Sequence, residues 1–311
     1  MSNNILQSKS DAPDPSTESA PSPPSESDTR RVVERTTAEE AVQRARLYSL
    51  LSIGFDRPGE ELEALLNEGV FTEDIREAAG ELDDKQLTTA VDAMIDEIAG
   101  TDSDDLYFEW GSLFGVEEGV TVSQYELTYL PGPLMTTARE IADINGFYKA
   151  FNLALGDGEN DRKDLLVFQL EFLSHLCLRE AYLRQEGDDE GVEVVVDARR
   201  SFVEEHLGRW FWRFADEVCK HDDDFYAALT DLLSAFVEAE IDVLDVDPEW
   251  VPDDPEVIEW NEDIFGDSGR GCGGCGMGDD SIEEEFKGVM PSGPPDQSDL
   301  SPEELDESGP N

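Results

Sequence analysis

Asp164, Glu171 and His175 are the residues on which chemistry could be built. Spacings of seven and eleven residues return a 3.6-residue helix to nearly the same angle, so a helix over 163–185 would carry all three on one stripe. Glu171 and His175, four apart, can pair or share a metal. Catalysis needs more than that. The histidines are His175, His206 and His221 alone; there is no HExxH, no second carboxylate–histidine pair of the di-metal kind, no Gly-rich phosphate loop and no GxSxG. The stripe has three readings: a catalytic or metal site, a hydrogen-bonded seam between helices, or the lining of a docking groove. The last two fit the sequence better.

Two further groups bear on chemistry. Cys272 and Cys275 form a CxxC within GRGCGGCGMG. Two thiolates are half of a tetrahedral zinc site, and the other half would come from a second chain or from Cys177 and Cys219. The pair also reads as a spare thiol pair in a tail or as a redox pair, but no neighbouring base is there to lower a thiol pKa. The aromatic residues are many for one helical domain and mostly core. Tyr125, Glu126 and Tyr129 are different, because they lie in a loop over 117–133, where tyrosine offers contact area with a polar tip. With Trp110 they would suit a peptide carrying an apolar stretch next to arginine.

The elements that must position these residues are helices. TTAEEAVQRARLYSLLSIGF opens with a threonine N-cap and two first-turn glutamates, and Asp56-Arg57-Pro58-Gly59 stops it. Amphipathic helices follow over 85–100, 103–116 and from Met135 through Phe151. EVVVDARRSFVEEHLGRWFWRFADEVCKH reads as one continuous helix, and a last long one begins near Asp224. No alternating strand and no repeat is evident. The expected fold is all-α: a single helical-bundle domain over 37–265, between a disordered Pro/Ser/acidic tail over 1–36 and a flexible Gly/Pro/acidic tail over 266–311.

Composition narrows the function classes. The 311 residues include 75 acidic and 22 basic ones, a formal charge of −53. Such a charge strains a compact state unless molar salt shortens the Debye length to about 3 Å, which points to a cytoplasmic protein of a salt-loving cell. So few basic residues argue against nucleic-acid binding. No run of about 18 apolar residues predicts a membrane span. Arg30-Arg31 and ARRSFVEE at 198–205 look like twin-arginine signals, yet charged residues break the apolar stretch each would need.

Three stretches in order carry a resemblance. EWGSLFG (109–115) is similar to the E-aromatic-x-x-L-F segment of the TorD/DmsD/NarJ family of molybdoenzyme maturation chaperones. QYELTY (124–129) resembles that family's aromatic-E-S-x-Y loop, with Leu127 in place of serine. RKDLLVFQLEFL (162–173) resembles its D-H-L-x-x-E-L-x-F-L or D-Y-L-x-x-x-L-E-F-L segment, with Leu165 where the family has His or Tyr and Gln169 where one branch has Glu. FVEEHLGRWFWRFADEV is similar to a family helix with H-L-x-x-W. The resemblance spans about 40–260. It implies a non-enzymatic chaperone, monomer or dimer, without a cofactor of its own unless a metal is shared at Cys272/Cys275. Its implied partner is the apo catalytic subunit of a nitrate or DMSO/TMAO type reductase, held by its N-terminal leader until the molybdenum cofactor is inserted and before twin-arginine export. The residues implied for partner binding are Asp164, Tyr125, Glu126, Tyr129, Trp110, Glu171 and His175. The rival reading is a small helical metal-binding or redox protein using Glu171/His175 or Cys272/Cys275.

Overall fold

The computed structural model describes residues 26–98, 103–115, 122–130, 134–154, 162–221 and 224–249. Along the chain run α1 (Glu26–Arg35), α2 (Ala38–Phe55), α3 (Glu60–Asn67), α4 (Val70–Glu81), α5 (Lys85–Glu97), α6 (Ser103–Leu113), the single turn α7 (Glu126–Tyr129), α8 (Leu134–Ala150), α9 (Leu166–Glu186), α10 (Asp189–Phe202), a π-helical turn (Val203–Leu207), α11 (Gly208–His221) and α12 (Phe225–Leu244). The all-α expectation holds. Among the described residues there is no strand, only an isolated antiparallel bridge between Tyr125 and Leu165. Among them, too, no helix is long and apolar enough to cross a membrane. The expected limit at 265 and the tail 266–311, with Cys272 and Cys275, lie outside the described residues.

α2 and α9 form the central pair. α2 starts as its sequence predicts: Thr37 Oγ1 accepts the Glu40 N–H, and the Glu40 carboxylate accepts the Thr37 N–H, a reciprocal cap. Ala41, Ala45, Tyr48, Leu51 and Phe55 are buried along it. α9 buries residues around most of its circumference, from Leu166 and Val167 through Leu170, Phe172 and Leu173 to Leu176 and Cys177. That is the pattern of a helix enclosed by others. Ser174 Oγ donates to Ala45 O at 2.9 Å, so the two helices approach closely.

Charges also lie inside. Glu180 of α9 meets Arg199 of α10 at 2.7 Å and Arg184 at 2.8 Å, while Glu240 of α12 meets Arg44 of α2 at 2.7 Å. Arg199 also donates to Cys177 Sγ, and burial pushes the Cys177 thiol up to about 12. Cys177 is therefore an inert core thiol, not a ligand in reserve for the CxxC.

Two expectations need correction. Residues 26–36 are not tail: α1 docks on the domain with Val32 fully buried and Thr36 in the core. Composition over 1–36 averages a Pro/Ser-rich stretch with TRRVVER, which has an apolar side to bury. Also, the predicted continuous helix over 193–221 is interrupted at Val203–Leu207, where the backbone widens to a π turn.

Candidate functional site

The site is built where the chain entering α9 crosses the segment 122–130. Glu126 N–H donates to Asp164 O at 3.0 Å and Leu166 N–H to Gln124 O at 2.9 Å, which makes the Tyr125–Leu165 bridge. Each bond uses a helix-terminal N–H that has no partner within its own helix. Asp164 locks the crossing. Its side chain is fully buried, and Oδ2 accepts the Leu127 N–H at 3.1 Å. Arg162 grips the same carboxylate with both arms, Nε to Oδ1 at 3.0 Å and Nη2 to Oδ2 at 2.5 Å. The Arg162 guanidinium also lies 4.7 Å from the Tyr125 ring centroid. Asp164 precedes α9 and so is not on the helical stripe predicted for it.

Behind Tyr125, Glu126 points inward. Its carboxylate is fully buried, accepting from Gln169 Nε2 at 2.6 Å and facing His206 Nδ1 at 3.1 Å. A glutamate at position 169 would place two carboxylates in contact there; the amide instead supplies a donor. On the other side, His206 Nε2 lies 3.5 Å from Asp143 Oδ2, an ion-pair distance without hydrogen-bond geometry. Burial pulls the imidazole down, but Asp143 and Glu126 outweigh it and hold the pKa up at about 9. His206 in turn holds Asp143 below the usual carboxylate range, despite the opposing effect of burial. Glu126, Glu140 and His206 offer donor atoms within 4.8 Å of one another. A proton on His206 competes with a metal for the same lone pair, so a metal held by these three would release it.

The π turn places His206. Gly208 N–H reaches Val203 O, five residues back, and a Cβ on Gly208 would sit 2.5 Å from Val203 O and 2.8 Å from Pro248 Cγ. The Gly208→Ala protein should therefore lose about 1–3 kcal/mol of stability in denaturant titration, because backbone must move to make room. An unchanged midpoint would show that the turn is not tightly packed there.

Tyr129 completes the junction. Its hydroxyl donates to Ser123 O at 2.6 Å, and its ring stacks on Trp210 with centroids 5.4 Å apart. Arg213 Nη1 donates to Tyr129 O at 3.3 Å. On the solvent side opens a hollow of about 830 Å³, walled by Trp110, Tyr125 and Tyr129 and edged by Arg57, Arg162 and Arg213. Trp110 Nε1 and Gln124 Nε2 both donate to Phe55 O, at 3.1 and 2.8 Å, anchoring this wall to the end of α2. Asp56 and Glu217 are its carboxylates.

The sequence-predicted residues thus divide. Trp110, Tyr125 and Tyr129 meet at the hollow. Asp164 and Glu126 are beneath it, fully buried, and hold its wall through the contacts above. Glu171 is exposed on α9, and His175 lines a separate hollow with Phe147, Phe151 and Arg179. Burial, then Arg179, hold the His175 pKa below its ordinary value. Glu126, expected to offer a carboxylate to an arginine-bearing peptide, faces His206 instead; the carboxylates at the hollow are Asp56 and Glu217, set among the three arginines. Sequence reading missed Arg162, Asp143 and Arg213 as site residues. His206 stood in the quoted H-L-x-x-W, but its meeting with Glu126 depends on a π turn that no periodicity announces.

Comparisons with known proteins extend over the same region. Residues 70–216 match the family described as nitrate reductase delta subunit. A perchlorate reductase assembly chaperone protein from Dechloromonas aromatica (strain RCB) is 27% identical over 226 residues, 68% of this chain and 93% of that one. A selenate reductase assembly chaperone protein from Thauera selenatis is 34% identical over 99 residues, 32% of this chain and 50% of that one. The chaperone protein TorD of Photobacterium profundum is 32% identical over 98 residues, 31% of this chain and 44% of that one. Against these last two, the match spans half of their length or less.

Proposed function

Because residues 70–216 match the nitrate reductase delta subunit family and the chain is a relative of reductase assembly chaperones, we propose that it is a cytoplasmic chaperone that assembles a molybdenum-cofactor oxidoreductase and catalyses no reaction itself. The observation that carries this reading is the convergence of three separate segments on one hollow: Trp110 from α6, Tyr125 and Tyr129 from the crossing segment, and Arg162 with Asp164 from the entry to α9. The hollow takes an apolar or aromatic part of the apo catalytic subunit against Trp110 and Tyr125. Asp164 and the Glu126–His206 pair keep that wall in place, so affinity comes from burial against a preorganised surface. The relatives named for perchlorate and selenate reductases favour an oxyanion reductase as the client. The client's N-terminal leader is the segment held until cofactor insertion is complete.

The test is capture of partners by the full-length protein from native extract in molar potassium chloride, with the partners identified by mass spectrometry and assayed for molybdenum. A catalytic subunit with its leader attached and little molybdenum is the expected partner. Asp164→Ala should cut that capture about tenfold, equivalent to about 1.4 kcal/mol, while the far-UV helical signal stays. Capture of mature, metal-loaded enzyme instead would make the protein a structural subunit, and capture of no oxidoreductase would end the reading.

A further inference from the structure

Arg30-Arg31 has the look of an export signal in the wrong setting. In the structure the pair is already bound. Two helices receive α1: Thr29 Oγ1 donates to Asp197 Oδ1 at 2.8 Å and Arg30 Nε to Glu193 Oε1 at 3.1 Å, both on α10. Arg31 Nη1 donates to Asp245 Oδ2 at 3.2 Å, and Arg35 Nη2 to Val243 O at 3.0 Å, both at the end of α12. Between these polar contacts Val32 is fully buried, and Val33 packs against the same core. Arg184 donates to Val33 O at 3.2 Å. The Asp245 acceptor is itself held, in a left-handed conformation after α12, by Arg200 donating to its carbonyl at 3.1 Å.

The face therefore holds a particular pattern: Arg30 at Glu193 of α10, Arg31 shared between Asp245 after α12 and Asp28 of its own helix, then apolar residues taken by the core. Its hold on the arginines is loose. Arg30 and Arg31 keep 64% and 58% of their side-chain surface in solvent, so these pairs contribute little to keeping α1 docked. The burial of Val32 is the main fastening, and it belongs to one short helix at the edge of the domain.

We propose that the α10–α12 face under α1 is a receptor for a segment with two consecutive arginines followed by apolar residues, that α1 fills it in cis, and that a client leader of this chemistry displaces α1. The identity of that occupant rests on the chaperone reading above. It also places the leader's arginine pair at Glu193 and Asp245, away from the arginine-edged hollow. A cis occupant lowers apparent affinity in proportion to the fraction of molecules whose face is free, so a leader would engage only when enough contact is made to expel the helix.

Fluorescence anisotropy on full-length protein tests this with two labelled probes. One is a 26–36 peptide; the other is a synthetic peptide with two consecutive arginines followed by apolar residues. Wild type is compared with Arg30→Glu/Arg31→Glu and with Val32→Asp. Both variants loosen α1: the first turns two weak attractions into like-charge repulsions with Glu193 and Asp245 and alters only exposed side chains, so it keeps the test valid if the second misfolds. Both probes should bind the variants about tenfold or more tighter than wild type, and unlabelled 26–36 peptide should compete with the arginine–apolar probe. Equal binding of the 26–36 peptide to wild type and variants, or none, would overturn the proposal even if the partner capture above succeeds. Tight binding of both probes without a captured reductase would uphold the receptor face and discard the chaperone reading.

Discussion

Glu180→Ala should destabilise the protein by about 3–5 kcal/mol, the cost of breaking a buried ion pair and stranding its partner. Glu180 is fully buried and receives Arg199 Nη1 at 2.7 Å, Arg184 Nη2 at 2.8 Å and Thr36 Oγ1 at 3.3 Å. Without it, Arg199 remains enclosed, its remaining carboxylate neighbour being Glu240, 3.8 Å from Nε and already engaged with Arg44. Arginine cannot shed its proton to relieve this. Arg199 belongs to α10, the helix whose Glu193 and Asp197 receive α1. Denaturant titration of Glu180→Ala beside Glu180→Gln separates charge from volume. The amide fills the space and should still lose most of the stability. A loss below about 1 kcal/mol in both would mean that water reaches Arg199 when the carboxylate is gone.

The second large effect is a fall in stability as pH rises from 6.5 to 9. His206 is held up at about 9 against about 6.5 in an unfolded chain. The folded state thus binds a proton that the unfolded state has lost. The stabilisation is fully present below pH 6.5 and is given up as pH passes through 9. Its size is about 3 kcal/mol, from 1.36 kcal/mol per pH unit of difference. The carboxylates responsible are Glu126 of α7 and Asp143 of α8, with Gln169 of α9 supporting the first and Arg139 near the second. His175, held low, acts in the opposite sense and at lower pH, and Cys177, held at about 12, adds its own loss only at higher pH. His206→Gln should therefore be less stable than wild type at pH 6, and its stability should change little between pH 6.5 and 9. A wild-type curve that is flat across that window would show that His206 is neutral in the folded protein. The consequence for function is direct, because the imidazolium anchors Glu126, and Glu126 is the residue next to Tyr125 in the wall of the hollow.

Local signals in the chain were enough for the helical class, for the start of α2 at Thr37 and its stop at Asp56-Arg57-Pro58-Gly59, and for the segments around Trp110, Tyr125 and Asp164. Capping groups, apolar periodicity and proline act over one or two turns, so they are legible in sequence. The direction of each side chain was not. Asp164, Glu171 and His175 share a stripe only if the helix includes all three. It begins at Leu166, because the backbone before it is used in the bridge to the crossing segment, and the three residues end in a buried clasp, in solvent and in a different hollow. Glu126 has the sequence setting of an exposed loop acid, yet it turns inward because His206, eighty residues later, offers a charge to meet it. Residues 26–36 have the polar composition of a tail, and they fold because α10 and α12 supply the carboxylates and the apolar slot that TRRVVER lacks alone. Partners distant in the chain impose nothing on local pattern and leave no trace in it, so the tertiary structure alone decided which residues line the hollow, which hold it up and what covers the α10–α12 face.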